Sequence, residues 1–238
     1  MSGLCTRVLV KTDRAIQRLL SGLVARTPKP RTLLDVGCWD GAATLRYAGL
    51  LGCAAHGIEV FGEPAARARA QGVEVAEIDL ERARFPWADG AMDVVIVNQV
   101  LEHLKNLWLA MSEVHRVTRR GGHLLLSVPN LASLHNRILL GLGRQPSSIR
   151  VFGPHVRGFA FGEIRRLVTL GGCFVVERAL GVGFHPLPAR LAAPFARLWP
   201  GGSHTALILA RKLDLHPRDP WLAHLEREQD HGLPTWYG

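Results

Sequence analysis

Residues 31–41 read R-T-L-L-D-V-G-C-W-D-G and pass into the small, helix-compatible stretch 42–51. A short apolar strand (Leu33, Leu34, Val36) that enters a glycine turn and leaves it as a helix begins a βαβ unit, so the chain is expected to build a parallel sheet covered by helices. Gly37 and Gly41 carry no Cβ, which lets the chain turn tightly and lets a ligand approach main-chain N–H groups. The helix beyond them points unpaired N–H groups and its positive dipole end back at the turn, where an anionic group fits. The turn also discriminates among nucleotides. A dinucleotide loop needs G-x-G-x-x-G, and Trp39 stands where the second glycine would meet the pyrophosphate. A triphosphate loop needs a lysine and a hydroxyl after its last glycine, and neither follows Gly41 in that register.

Acidic residues close the next strands. Segment 54–60 (A-A-H-G-I-E-V) reads as a second strand ending near Glu59, at the distance beyond Asp35 where a βαβ unit places a carboxylate for a ribose diol. A helix over 63–70 leads to a third strand, 73–78, closing in Asp79-Leu80, where the carboxylate offers a hydrogen-bond acceptor. The apolar run 92–97 suits a central strand covered on both faces. Asn98-Gln99-Val100-Leu101-Glu102-His103-Leu104 follows it. Residues 107–119 form an amphipathic helix that Arg119-Arg120-Gly121-Gly122 should end, and 123–128 a fifth strand. The remainder reads as an apolar helix or lid at 131–142, a Gly-, Pro- and Ser-rich loop at 143–158 carrying His155, a helix at 162–170, and strands at 173–178 and 204–210. Long loops inside a compact domain tend to be functional. Before the glycine turn, 6–26 has helical spacing with Thr12 or Asp13 as its cap, and Thr27-Pro28-Lys29-Pro30 breaks it.

The Asp35-Val36-Gly37-Cys38-Trp39-Asp40-Gly41 run resembles the first motif of class I S-adenosylmethionine (SAM)-dependent methyltransferases, D/E-x-G-x-G-x-G, departing at the middle glycine. Residues 85–104 resemble that family's F-x-x-x-x-F-D-x-V-x-x-x-x-x-L-E-H-L segment, with Met92 where phenylalanine is usual. From His155, H-x-R-x-F-x-x-x-E-I-x-x-L resembles a segment of the broad small-molecule, type 11/23-like branch. The resemblance implies an α/β fold, a Rossmann-like three-layer sandwich with a seven-stranded, mostly parallel sheet whose last strand is antiparallel. It divides the chain into an N-terminal helix or lid (1–30), a methyltransferase domain (31–212) with lid or insertion segments at 130–160 and 184–203, and a C-terminal tail (213–238). It implies SAM as cofactor, with contacts at Asp35, Gly37, Cys38, Trp39, Gly41, Glu59, Val60, Asp79, Leu80, Asn98 and Gln99. Glu59 would meet the ribose, and Asp79 and Leu80 the adenine.

Methyl transfer from a sulfonium is an in-line substitution that gains from holding the nucleophile close and aligned. A hydroxyl acceptor also needs a base, for which histidine is suited near neutral pH. His103, after the fourth strand, and His155, in the long loop, are the candidate catalytic residues. Some quinone-pathway O-methyltransferases have an E-x-x-E-H metal site that Gln99-Val100-Leu101-Glu102-His103 resembles, but Gln99 is a poorer ligand than a carboxylate for a hard cation, so no required metal is expected. The function expected is SAM-dependent methyl transfer, O-directed, to a small-molecule or lipid- or sugar-linked acceptor. RNA methylation and a non-catalytic SAM-binding interaction protein are the alternatives, and a nicotinamide dehydrogenase is disfavoured by Trp39.

A formal charge of +9 suits acidic partners, but the arginines are scattered without a block of like charge, so nucleic acid is not favoured. An arginine-bearing apolar stretch at 184–200 has the makings of a peripheral membrane contact. Cys5, Cys38, Cys53 and Cys173 show no C-x-x-C pairing, which argues for a reducing compartment and against structural zinc. No apolar leader precedes the charged segment 11–18, and a cytoplasmic location is expected. The tail from residue 213 should wrap or fray.

Overall fold

The computed structural model describes residues 3–25, 29–185, 187, 189–213, 219–223 and 226. The break expected at Thr27-Pro28 and most of the tail lie outside the described residues. Seven strands, β1 (Thr32–Val36), β2 (Ala54–Ile58), β3 (Glu74–Ala76), β4 (Met92–Asn98), β5 (Thr118–Pro129), β6 (Phe174–Val182) and β7 (Thr205–Lys212), form one sheet in the order β3-β2-β1-β4-β5-β7-β6. β7 runs antiparallel to both its neighbours, β5 and β6, and the pairs from β3 to β5 are parallel, as the resemblance implies. The helices are α1 (Gly3–Val24), α2 (Ala42–Leu51), α3 (Gly62–Ala70), α4 (Leu107–Val117), α5 (Leu134–Gly141), α6 (Phe161–Val168) and α7 (Ala189–Leu198).

Side chains on a strand point alternately to its two faces, and here both faces are buried. Leu33, Val94, Ile96, Leu125, Leu207 and Leu209 pack with Ile16, Leu20 and Leu23 of α1 and Tyr47 and Leu51 of α2. Leu34, Val36, Val95, Val97, Leu124 and Leu126 pack with Leu107, Met111, Val114 and Val117 of α4 and Ile164 and Val168 of α6. Three layers result. Because β1 and β4 lie side by side while β2 and β3 extend the other way, the chain reverses its winding between β1 and β4, and the carboxyl ends there open a crevice.

Several local expectations are corrected. Thr12 and Asp13 do not cap α1: they lie inside it, where the Thr12 hydroxyl donates to the Val8 carbonyl at 3.0 Å and Asp13 accepts from the Tyr47 hydroxyl at 2.7 Å. Gly121 and Gly122 are not a loop after α4. β5 starts at Thr118, directly after the helix, and the partners of Met92 and Val94 jump from Thr118 to His123, so the arginines and glycines form a bulge within the strand. The described part of the tail is docked. Trp221 is fully buried and donates its indole N–H to the Leu167 carbonyl at 3.1 Å, while Ser112 donates to Asp219.

Candidate active site

The glycine turn at the end of β1 is held from two sides. The N–H groups of Gly37 and Cys38 both donate to the Ile58 carbonyl at 2.8 and 2.9 Å, tying the turn to the end of β2. Gly37, Trp39 and Gly41 adopt positive φ values of 78°, 51° and 80°. Trp39, at the position of the missing middle glycine, therefore takes a left-handed backbone of the kind that glycine adopts most readily. Gly41 is needed for packing as well as for its φ: a Cβ there would lie 2.9 Å from Ala68 Cβ and from Val73 Cγ2.

Glu59 is buried, and its carboxylate accepts from the main-chain N–H groups of Trp39, Val60 and Phe61 at 3.0, 2.9 and 3.0 Å. It clamps the turn to the start of α3, which gives the buried acid a structural reason beside any ligand. Asp35 accepts from the Thr44 hydroxyl at 2.6 Å, and burial pushes its carboxyl up to about 6 despite that bond, with the Glu59 charge adding to the rise. Cys38 turns its thiol into the cluster of Ala68 and Val73, where burial raises its pKa to about 12. Any ligand contact from Cys38 is thus a main-chain one.

Asp79, half-exposed, caps the turn after β3 by accepting from the Glu81 N–H at 2.9 Å, and Leu80 sinks into the core beside Ile58 and Phe85. Between the two acids, Trp39, Val60 and Phe61 are all exposed, and the rings of Trp39 and Phe61 meet edge to face at 6.2 Å. Two acceptors flanking open apolar surface are the donor set an adenosine wants, with its diol, exocyclic amine and flat ring. The residues present fit SAM.

At the end of β4, Gln99 also has positive φ, 58°. Its side chain donates to Ser127 Oγ at 3.1 Å, and Ser127 donates to Asn98 Oδ1 at 2.6 Å, so Asn98 and Gln99 are fixed as one network with the end of β5. Sequence reasoning missed Ser127.

Leu101–His103 form one 3₁₀ turn with no side-chain cap. Glu102 is 1% exposed and neither carboxylate oxygen reaches a hydrogen-bond partner. It is therefore neither a helix cap nor half of a satisfied core pair. Burial pushes its carboxyl up to about 8; only its own main-chain N–H, too poorly aligned to count as a bond, acts the other way. His103 is exposed and His155 half-buried, and their rings lie edge to face at 4.8 Å. The structure thus brings together two histidines separated by the whole of β5 and the lid. His103 is held below its usual pKa by burial first, with the Pro154 carbonyl opposing and His155 adding a little. The loop is placed by Glu102 itself, whose main-chain carbonyl accepts from the N–H groups of Val156 and Arg157 at 2.8 and 3.1 Å. That Glu102 is buried without a partner is what the L-E-H-L run does not reveal in the sequence.

Residues 34–126 match the model of a family described as a methyltransferase domain. A probable SAM-dependent methyltransferase of Mycolicibacterium smegmatis is 34% identical over 168 residues, covering 65% of this chain and 56% of the relative. The 27-O-demethylrifamycin SV methyltransferase of Amycolatopsis mediterranei is 29% identical over 134 residues, 52% of this chain and 48% of the relative. The chain spans about half the length of the curated relatives it matches. Among solved structures, a SAM-dependent methyltransferase of Mesorhizobium loti superposes with a TM-score of 0.53 at 20% identity, over 81% of this chain and all of that one. Another, from Archaeoglobus fulgidus, gives 0.58 at 15% identity over 84% and 94%.

Proposed function

We propose that this chain, which carries a class I SAM-dependent methyltransferase domain, transfers a methyl group from SAM to a hydroxyl of a small-molecule or lipid- or sugar-linked acceptor. One arrangement carries this reading: Glu59 and Asp79 flank exposed Val60 and Phe61 at the carboxyl edge of the sheet, with the His103 and His155 pair across the β1–β4 crevice. SAM, when bound, supplies an electrophilic methyl carbon on a sulfonium. Glu59 holds the ribose hydroxyls, Asp79 takes the adenine amine, and the main chain of the turn shapes the methionine end. His103 and His155 receive the acceptor hydroxyl. That imidazole pair would hold the hydroxyl in line with the methyl that SAM supplies and would take the proton it sheds.

The oxygen-directed part draws on the rifamycin relative, whose name places its methyl on an oxygen. The lipid-linked class draws on exposed apolar side chains, Leu140, Leu142, Val151 and Phe152 of the 130–160 segment and Leu198 of α7, with exposed Arg144, Arg150 and Arg197 near them in sequence. Such side chains suit an apolar tail ending in an anionic group, or a bilayer carrying one.

Calorimetry tests the cofactor reading. The folded chain should bind S-adenosylhomocysteine at one site, and Asp79→Ala should weaken binding roughly 10-fold, as the loss of one hydrogen bond to a charged group implies, while the variant stays folded and loses only the stability of one turn cap, about 1 kcal/mol. Absence of heat with a chain shown folded by circular dichroism would end it.

A further inference from the structure

We infer that Glu102, His103 and His155 form a binding site for one divalent first-row transition-metal ion of the zinc class. One ligand atom from each lies within 4.8 Å of the other two. Donors on a tetrahedral ion with bonds of about 2.1 Å sit about 3.4 Å apart, so small side-chain rotations close the set.

Three observations independent of that spacing point to a cation. Glu102 is 1% exposed, and its carboxyl lies by the imidazoles with both oxygens unpartnered; a buried acid in that condition either keeps its proton or exchanges it for a cation, and a metal ion would satisfy both oxygens. Both imidazoles are held in the tautomer a metal requires. His103 Nδ1 lies 3.2 Å from the Pro154 carbonyl, and His155 Nδ1 lies 2.7 Å from the Ser148 carbonyl. A carbonyl oxygen only accepts, so each Nδ1 carries the proton and donates, and each neutral ring keeps its lone pair on Nε2. Metal-bound histidines are oriented by this kind of outer hydrogen bond. Finally, the loop bearing His155 is fixed to the loop bearing the other two ligands: Glu102 O accepts from Val156 and Arg157, and the Arg157 side chain donates to the Leu104 and Lys105 carbonyls.

Two imidazoles and one carboxylate select zinc, iron, cobalt or nickel over magnesium or calcium, which prefer all-oxygen shells. Three protein ligands with His103 open to solvent leave a coordination position free. On the methyltransferase reading, an ion held there would lower the pKa of an acceptor hydroxyl in place of proton transfer to the imidazoles, the proton leaving to solvent. The binding itself does not depend on that reading.

The test uses the full chain, stripped with a chelator, with Co²⁺ as spectroscopic probe and no SAM present. Visible absorption should titrate to one equivalent, Zn²⁺ should displace the cobalt, and excess Mg²⁺ should not. Glu102→Gln, nearly isosteric, and His155→Ala should each lower Co²⁺ affinity at least 10-fold while S-adenosylhomocysteine binding is retained. A crystal soaked in Zn²⁺ should show an anomalous peak among the three side chains, a readout that no variant's folding can disturb. A folded chain that takes up no cobalt, variants that bind it as tightly as the parent, or an anomalous peak elsewhere would overturn the assignment. Loss of S-adenosylhomocysteine binding by the parent alone would sink the cofactor reading and leave the metal result standing.

Discussion

Single positions in the glycine turn carry different loads. Gly41 needs its positive φ and also the space a Cβ would occupy against Ala68 and Val73, neither of which can swing away. Gly41→Ala should therefore destabilise the chain by about 2 kcal/mol or more in urea unfolding, combining a left-handed alanine with overpacking. Trp39 has a left-handed backbone but an exposed side chain, so Trp39→Gly should leave stability within about 1 kcal/mol of the parent, or raise it. Equal losses at the two sites would show that the turn is held by something other than these contacts. The glycine at 41 and the acids at 59 and 79 were legible because a turn and a strand end are local: the residue type states the backbone it tolerates or the ligand atom it offers. That Trp39 keeps the glycine conformation was not legible, since the compensating clamp comes from Glu59 on another strand.

At the level of elements, the long loop is positioned less by its own sequence than by what it docks on. Arg157 donates to the Leu104 and Lys105 carbonyls, and its main chain and that of Val156 to Glu102, so the loop is stitched to the turn after β4. Replacing Arg157 by alanine should increase hydrogen exchange of the Val156 and Arg157 amides by an order of magnitude or more while leaving β4 and β5 protected. Unchanged exchange would mean that the two main-chain bonds suffice. The α4–β5 junction shows the converse limit of sequence reading. Two basic residues and two glycines after an amphipathic helix carry every local sign of a loop, yet strand pairing with β4 captures them as a bulge. Among the described residues no helix is long and apolar enough to cross a membrane.

For the molecule as a whole, part of the positive charge is met locally by acids. Arg116 is bound to Glu113 and Asp89, Arg211 to Glu177, and Arg69 to Glu77, so many cations are spent on local acids. Among the described residues, buried titratable groups make stability depend on pH, and His204 acts in the opposite direction to the raised acids Asp35 and Glu102. Burial, reinforced by His135 and His185, lowers His204 from 6.5 to about 4. The unfolded chain then binds a proton that the folded chain refuses, and stability is lost as pH falls from about 6.5 to 4. Burial raises Asp35 from 3.8 to about 6, so its contribution is lost as pH rises over about 4 to 6. The two offset one another in the parent. Removing the imidazole in His204→Asn should therefore make the variant gain on the parent by about 2–3 kcal/mol between pH 6.5 and 4, read from urea midpoints at each pH. A constant difference would show His204 to be freely protonated in the fold. The sequence by itself determined the alternating apolar strands, the glycine turn and the acids that close β2 and β3, because periodicity, backbone freedom and strand-end position are encoded within a few residues. Only the tertiary structure decided that Glu102 is buried without a partner, that His155 returns across a long loop to meet His103, and that Trp221 is core. Burial and long-range contact are properties of the packed chain, and no short stretch of sequence contains them.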